Sequence, residues 1–455
     1  MDNAGQGQPT ASQTLAAYAT QLTYEQIPAE VAARAKACII DTIAASTYGA
    51  ALPWSKIVID YVRKNSAPGK ALVLGTKHRV RAPFAALANG ASAHAFELDS
   101  MCQPSVGVHP GAGLTSPGLA VAQAHDSSGK DLITAWIAGC EVMYRIGDAG
   151  HHTSEKLGFH APGLLGVFGA AVVAARLFGL DAGRMANALG IAASLSSGLL
   201  EFSNSGGGMV KRLHLGRSAE AGITAALLAR DGFTGPAAAI EGKFGFLNVY
   251  CRDVDPARLT AGLGEVWHTL KTTLKCYACH STAHVPVTAL RELQAQHGFA
   301  GVDVASIIVT GSEKMVSHHN IAEPQDLGMA QYSVPFSMAI AAFKDPRDPS
   351  VFCDASLNDR AIRALCRNVR LEASTQLTKA NQLASRVAVV LNDGRTLVKD
   401  AQYFPGHSQQ PFSEQQLRDK FDRLMTALPA ASTERIFRDF LALETVNDVG
   451  QLQLN

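Results

Sequence analysis

The sequence predicts a mostly α protein, with a large all-α helical bundle built from both chain ends and a smaller α+β domain set between them. Three observations predict it. Alanine- and glycine-rich segments of helical period run from Gln13 to about Arg258. Short β-branched runs begin only after Trp267, and helical patterning returns beyond Pro405-Gly406. At 455 residues the chain exceeds one ordinary core, so two domains are expected, 11–269 with 405–455 and 270–404.

Taken in order, the first ten residues read as a tail. Pro28 opens a helix through PAEVAARAKACIIDTIAASTYGA. Further helices are predicted over Pro83–His94, Thr115–Gly129, Lys130–Gly147, Ala161–Phe178, Gly183–Leu199, Ser218–Arg230 and Ala237–Val249. Strands are predicted at Ala305–Gly311, Asn368–Ala373 and Arg386–Leu391. The last runs through Asn392-Asp393-Gly394 into Thr396–Lys399, the signature of a tight hairpin. Helices over Ala283–Gln296 and Pro335–Phe343 lie among them. Ser413 with Gln416 three residues on marks the start of a C-terminal helix.

Charge is balanced, 40 Lys+Arg against 39 Asp+Glu, with no basic arm, so nucleic acid and anionic membranes are not expected partners. The most apolar stretch, Ala161–Leu180, has about fifteen residues between His160 and Arg176, short of the roughly 20 that span hydrocarbon. The first residues, MDNAGQGQPTAS, lack the basic and apolar regions of a signal peptide, and eight cysteines lack framework spacing. A cytoplasmic protein with reduced thiols is expected.

Three polar islands interrupt the apolar chain. Glu97-Leu98-Asp99 follows a helical run and leads to His109 in a His-Pro-Gly loop. Carboxylates two apart do not share a helix face. Either this is a capped helix end with a surface loop, or one acid points into a cavity. Gly206-Gly207-Gly208 with Lys211-Arg212 reads as an anion-binding loop or as a solvated linker, and its spacing is not that of a P-loop. The third island, KCYACHSTAH, holds Lys275, the Cys276/Cys279 pair and His280 with His284. No second ligand pair completes a zinc site and no βαβ context supports redox chemistry, so no metal is expected. Lys275 and His280 ahead of a helix start are better placed to meet an anion. His160 stands at a helix N-terminus, where its neutral form is favoured, as a base, a donor or a satisfied core residue. His151-His152 and His318-His319 read as exposed pairs without a role.

In order along the chain, NGASAHAFELD…VHPGAG, GFHAPGLLGVFGAAVVAARL, VKRLHLGRSAEAGITAALLARDGFTGP and LKCYACHSTAH resemble the MmgE/PrpD family. That family includes 2-methylcitrate dehydratase, cis-aconitate decarboxylase and iminodisuccinate epimerase. The resemblance implies a helical domain from both chain ends, an α+β lid, an active site between them, a homodimer, and chemistry on di- and tricarboxylates without metal or organic cofactor. By position it assigns Glu97, Asp99, His109, His160 and His280 to catalysis, and Lys211 and Lys275 to substrate; Arg212, beside Lys211, is expected to bind substrate with them. The family's DFDDTH reads ELDSMC here, with Ser100 and Met101 in place of an aspartate and a threonine. Phe336 stands where the decarboxylase type has a tyrosine. The expected activity is a lyase, with dehydration of a hydroxy polycarboxylate first and decarboxylation or epimerisation as alternatives. His109 is the expected base. Lys211 and Lys275 are suited to the charge that develops on a substrate carboxylate.

Overall fold

In the computed structural model, which describes residues 8–203 and 208–455, most of the chain is helical and the sheets are small. Two units separate. The larger comprises residues 8–95, 99–203, 208–272 and 417–455 of those described; the smaller comprises 96–98 and 273–416. No helix among the described residues is long and apolar enough to cross a membrane.

In the larger unit, helix starts are set by local chemistry. Thr10 and Ser128 close capping boxes with Gln13 and Asp131, and Asp181 caps Ala182–Leu195. Proline occupies the first turn of Pro53–Asn65, Ala82–Ala93, Ser116–Ala124 and Ala161–Leu177, where its missing N–H costs nothing. The core is lined by Ala, Leu, Ile and Val of Ala29–Ala50, Gly129–Ala149 and Ala161–Leu177, nearly all fully buried.

Two glycines let Met209–Arg230 lie against its neighbours. A Cβ at Gly216 would stand 2.4 Å from the Leu87 carbonyl oxygen of Ala82–Ala93. One at Gly222 would stand 2.4 Å from the Ala170 Cβ of Ala161–Leu177. These contacts bring the end of one helix, bearing His94, and the starts of two others, bearing His160 and Lys211, to one place.

The larger unit is not wholly helical as expected, since Pro68–Leu72 and Arg79–Val80 pair as short antiparallel strands, and three further elements differ from expectation. Met209–Arg230 begins nine residues before Ser218, so Lys211, Arg212 and His214 are helical rather than on a loop; Gly206 and Gly207 lie outside the described residues. The polar Lys-Arg-Leu-His run obscures the helical period there. Only Phe246–Tyr250 of the stretch from Ala237 is helical, because turns at Gly242 and Gly245 replace the earlier part. Ser116–Ala124 stops short of Gly129, since Asp126 takes φ 53° and Ser128 starts the next helix.

The smaller unit carries a four-stranded sheet in which Val304–Gly311 is central, parallel to Val369–Ala373 and antiparallel to Ser385–Leu391. Ser385–Leu391 pairs in turn with Thr396–Ala401 through the expected Asp-Gly turn, where Gly394 takes φ 88°. Alternation along Ser385–Leu391 is strict, Val387, Val389 and Leu391 inward and Arg386 outward. His284–His297 and Val334–Phe343 accompany this sheet, and Ser413 with Gln416 forms the expected capping box.

Candidate active site

In the larger unit the first cluster is built on Asp99. Its Oδ2 accepts from His109 Nδ1 at 2.7 Å and from His94 Nδ1 at 2.9 Å, with the carboxylate fully buried. A carboxylate only accepts, so both Nδ1 atoms carry the proton and both Nε2 atoms are left to other work. His94 ends Ala82–Ala93 and is itself buried. Burial holds its imidazole down to about 4 against the pull of Asp99, so it donates as a neutral ring rather than as one half of an ion pair. Its Nε2 has no hydrogen-bond partner among the described residues. The ring of His109 meets that of His94 edge-on at 5.2 Å and is the more exposed of the two.

Ser100, where the family pattern has an acid, has a structural task. Its Oγ accepts from Gly111 N–H at 2.9 Å and lies 3.0 Å from Cys38 Sγ, fastening the far side of the His109 loop. Immediately after Pro110 the backbone makes a π-helical turn over Gly111–Thr115, a departure from α geometry of the kind found at functional sites.

His160 stands at the N-cap position of Ala161–Leu177, and its Nδ1 lies 2.9 Å from Nδ1 of His214, so one ring donates and the other accepts. Burial pushes His160 well below the ordinary histidine range, with His94 and Lys211 adding to the effect; His214 is lowered by burial and Lys211. His160 and His94 rings are 5.9 Å apart. Lys211 is buried beside these neutral imidazoles. Arg212 is directed elsewhere: its Nε donates to the Ala95 carbonyl at 2.9 Å and its guanidinium lies 4.2 Å from the Trp54 ring centroid. It fastens the chain just before Glu97.

The second cluster is in the smaller unit. Glu97 adopts φ 55°, a left-handed conformation that costs a non-glycine residue about 1–3 kcal/mol. Its Oε2 meets Lys275 Nζ at 2.8 Å, with side-chain exposures of 8% and 2%. The backbone turn thus sends Glu97 and Asp99, two residues apart, to different partners. His280 precedes Ser281–Ala283 and His284–His297, and burial, with His319 next, keeps its ring neutral. Cys279 is a buried thiol pushed up to about 12, and none of the eight cysteines is in a disulfide.

The structure therefore gathers Asp99, His109, His160 and Lys211 in one cluster, and Glu97, Lys275 and His280 in another. Sequence reading missed His94, His214 and His319. His214 was legible, three residues beyond Lys211 and so on the same helix face. His94 lay inside a quoted motif, five residues before Asp99. His319, expected to be exposed, is only 3% exposed, because its ring stacks on His280. No local sequence signal announces that contact.

The ligand atoms of His94, Asp99 and His109 lie within 4.8 Å of one another, a donor set a divalent ion could use. The spacings of 2.7 and 2.9 Å are hydrogen-bond lengths, shorter than the roughly 3.4 Å between ligands around a tetrahedral zinc ion. The residues as arranged hold one another rather than an ion.

The chain belongs to the MmgE/PrpD family: residues 13–259 match its N-terminal domain and residues 277–443 its C-terminal domain. Among curated relatives, the cis-aconitate decarboxylase-like protein oryM of Aspergillus oryzae is 28% identical, across 99% of this chain and 98% of its own. Cis-aconitate decarboxylase of Aspergillus terreus is 29% identical over 96% and 93%. The human cis-aconitate decarboxylase is 26% identical over 85% and 82%.

Proposed function

We propose that this chain is a lyase that moves a proton at the carbon α to a carboxylate of a di- or tricarboxylate, without a metal, and that its reaction is loss of a carboxylate. The observation that carries the proton chemistry is the His109–Asp99 hydrogen bond. Asp99 fixes His109 with Nδ1–H inward, so Nε2 is the atom that exchanges a proton, and it balances the imidazolium that forms. Lys211, buried beside His94 and His160, is the cation that meets a substrate carboxylate, where it stabilises the charge of the transition state. His160 and His94, held neutral, add hydrogen-bonding groups without adding charge.

For an alkene tricarboxylate the step balances simply. The imidazolium gives its Nε2 proton to one alkene carbon, and the old double bond's electron pair forms that C–H bond. Across the allylic carbon a carboxylate leaves as carbon dioxide, and the C–C pair becomes the new double bond. Names of relatives that span nearly the whole chain support this outcome over dehydration. So does Glu97. Dehydration needs an acid for the departing hydroxyl, and Glu97 is tied to Lys275 as its carboxylate.

Incubating the protein with cis-aconitate and with hydroxy tricarboxylates, while following carbon dioxide and the products by NMR, tests the proposal. Carbon dioxide from the alkene substrate is expected, unaffected by exhaustive chelation. A new alkene from a hydroxy acid without carbon dioxide would make it a hydro-lyase, and inversion alone an epimerase. Inactivity restored by one divalent ion would overturn the metal-free reading.

A further inference from the structure

His280 is held by its own unit at its backbone, at Nδ1 and on its ring. Its N–H donates to the Gln331 carbonyl at 2.8 Å, and Gln331 Nε2 donates to the carbonyls of Ala278 and Phe96 at 3.0 and 3.1 Å. One amide side chain thus ties the His280 turn to the residue before Glu97. The imidazole is fixed as tightly. Its Nδ1 accepts from Thr282 Oγ1–H at 3.0 Å and from Thr282 N–H at 3.4 Å. A backbone N–H only donates, so Nδ1 must be the bare nitrogen and the proton of the neutral ring sits on Nε2.

His319 closes one face. Its ring stacks on that of His280 with centroids 4.1 Å apart and planes within 24°, and Tyr332 lies 5.0 Å from His280 on a tilt of 40°. His319 is anchored in turn, since its Nδ1–H donates to the Tyr332 carbonyl at 3.0 Å. Its Nε2 is buried and has no hydrogen-bond partner among the described residues. The charged and titratable groups that bear on this pair are Glu97, Lys275, Lys314 and His318. Two stacked imidazoles cannot both be charged cheaply. A cation on either would face the other ring's dipole in a buried place with two lysines nearby.

We propose that His280 acts as a neutral Nε2–H hydrogen-bond donor to the substrate rather than as a base, and that His319 is the positioning residue that holds it in that state. The ring has no free basic nitrogen: Nδ1 is occupied by Thr282 and Nε2 already carries hydrogen. A donor of this kind suits a carboxylate or an enolic oxygen whose charge grows during reaction. The inference rests on the proposed polycarboxylate chemistry for what His280 donates to, and not for its tautomer. It gives His280, which the resemblance assigns to catalysis, the part of a donor, and it gives a role to a histidine that sequence reading set aside.

The test uses the full-length protein labelled with ¹⁵N-histidine, with His280 assigned by loss of its signals in His280→Asn. The resting wild-type protein is expected to show His280 as the neutral Nε2–H tautomer throughout pH 6–8. A His280 signal that is Nδ1–H, or that converts to imidazolium in that range, overturns the proposal without any substrate. In kinetics, His319→Ala should lower kcat about tenfold or more and let His280 take up a proton within pH 6–8. His319→Phe, which keeps a ring on the stack, should recover most of the loss and the neutral ring. If His319→Ala left both the neutral state and kcat unchanged, the positioning role is wrong. If the tautomer is as stated but no polycarboxylate reacts, the failure belongs to the substrate reading alone.

Discussion

At the scale of single residues the site works by rationing charge. Asp99 receives two imidazole protons on one oxygen, and burial keeps His94 neutral, so the negative charge of Asp99 remains for His109. In the smaller unit Glu97 and Lys275 neutralise each other at 2.8 Å. Removing one member of such a buried pair strands the other. Lys275→Met should therefore cost about 3–5 kcal/mol in urea unfolding, and the double variant Glu97→Gln/Lys275→Met should cost less than Lys275→Met alone. Additive single effects would mean that the pair is not coupled. Asp99, His109 and Lys211 were legible in the sequence because ionisable groups among small apolar residues need a partner or a task. What the sequence hid was the partner. Glu97 and Asp99 read as one acidic pair, and only the left-handed turn at Glu97 separates them.

At the scale of elements, helix approach decides where the histidines fall. Leu87 and Ala170 press on Gly216 and Gly222 of one helix, from either neighbour. Gly216→Val would place branched carbons where the Leu87 carbonyl lies. It should destabilise the protein by about 1–3 kcal/mol or more and lower turnover even below the unfolding temperature, because His94 moves with its helix. Denaturant titration with kinetics on the folded variant checks this, and wild-type kinetics in a destabilised variant would separate packing from site geometry. Most helices and the hairpin were legible from period and turn chemistry. The first two turns of Met209–Arg230 were not, because their polar residues face a site instead of solvent and break the apolar stripe that marks a helix. The π turn after Pro110 has no sequence signal of its own.

At the scale of the whole molecule, buried neutral histidines tie stability to pH. His94 and His319 are held down to about 4 and His268 to about 3, against about 6.5 in an unfolded chain. A depressed folded value means that the unfolded chain binds the extra protons, so stability is complete above about pH 6.5 and is lost as pH falls towards 4. For His94 alone the loss is on the order of 3 kcal/mol. Glu141, raised by burial, opposes this as a single group. Thermal scans from pH 8 to 4.5 should show a falling Tm below about 6.5, and a rise there would contradict the neutral assignment. We also propose a homodimer. The larger unit exposes Phe233, Phe244, Leu199 and Val249, and Phe244 and Val249 line a groove of about 400 Å³. Light scattering at micromolar concentration should give twice the chain mass, and a monomer mass would refute it.

At the centre of the proposed chemistry His109, oriented by Asp99, transfers the substrate proton. The most direct measurement is turnover of cis-aconitate in deuterium oxide, read by ¹H NMR for wild type and for His109→Ala. One carbon-bound deuterium per product molecule is expected at the carbon α to a carboxylate, with a kcat about 10²–10⁴ lower in the variant. Product carrying no carbon-bound deuterium, or a variant within a few-fold of wild type, would contradict it.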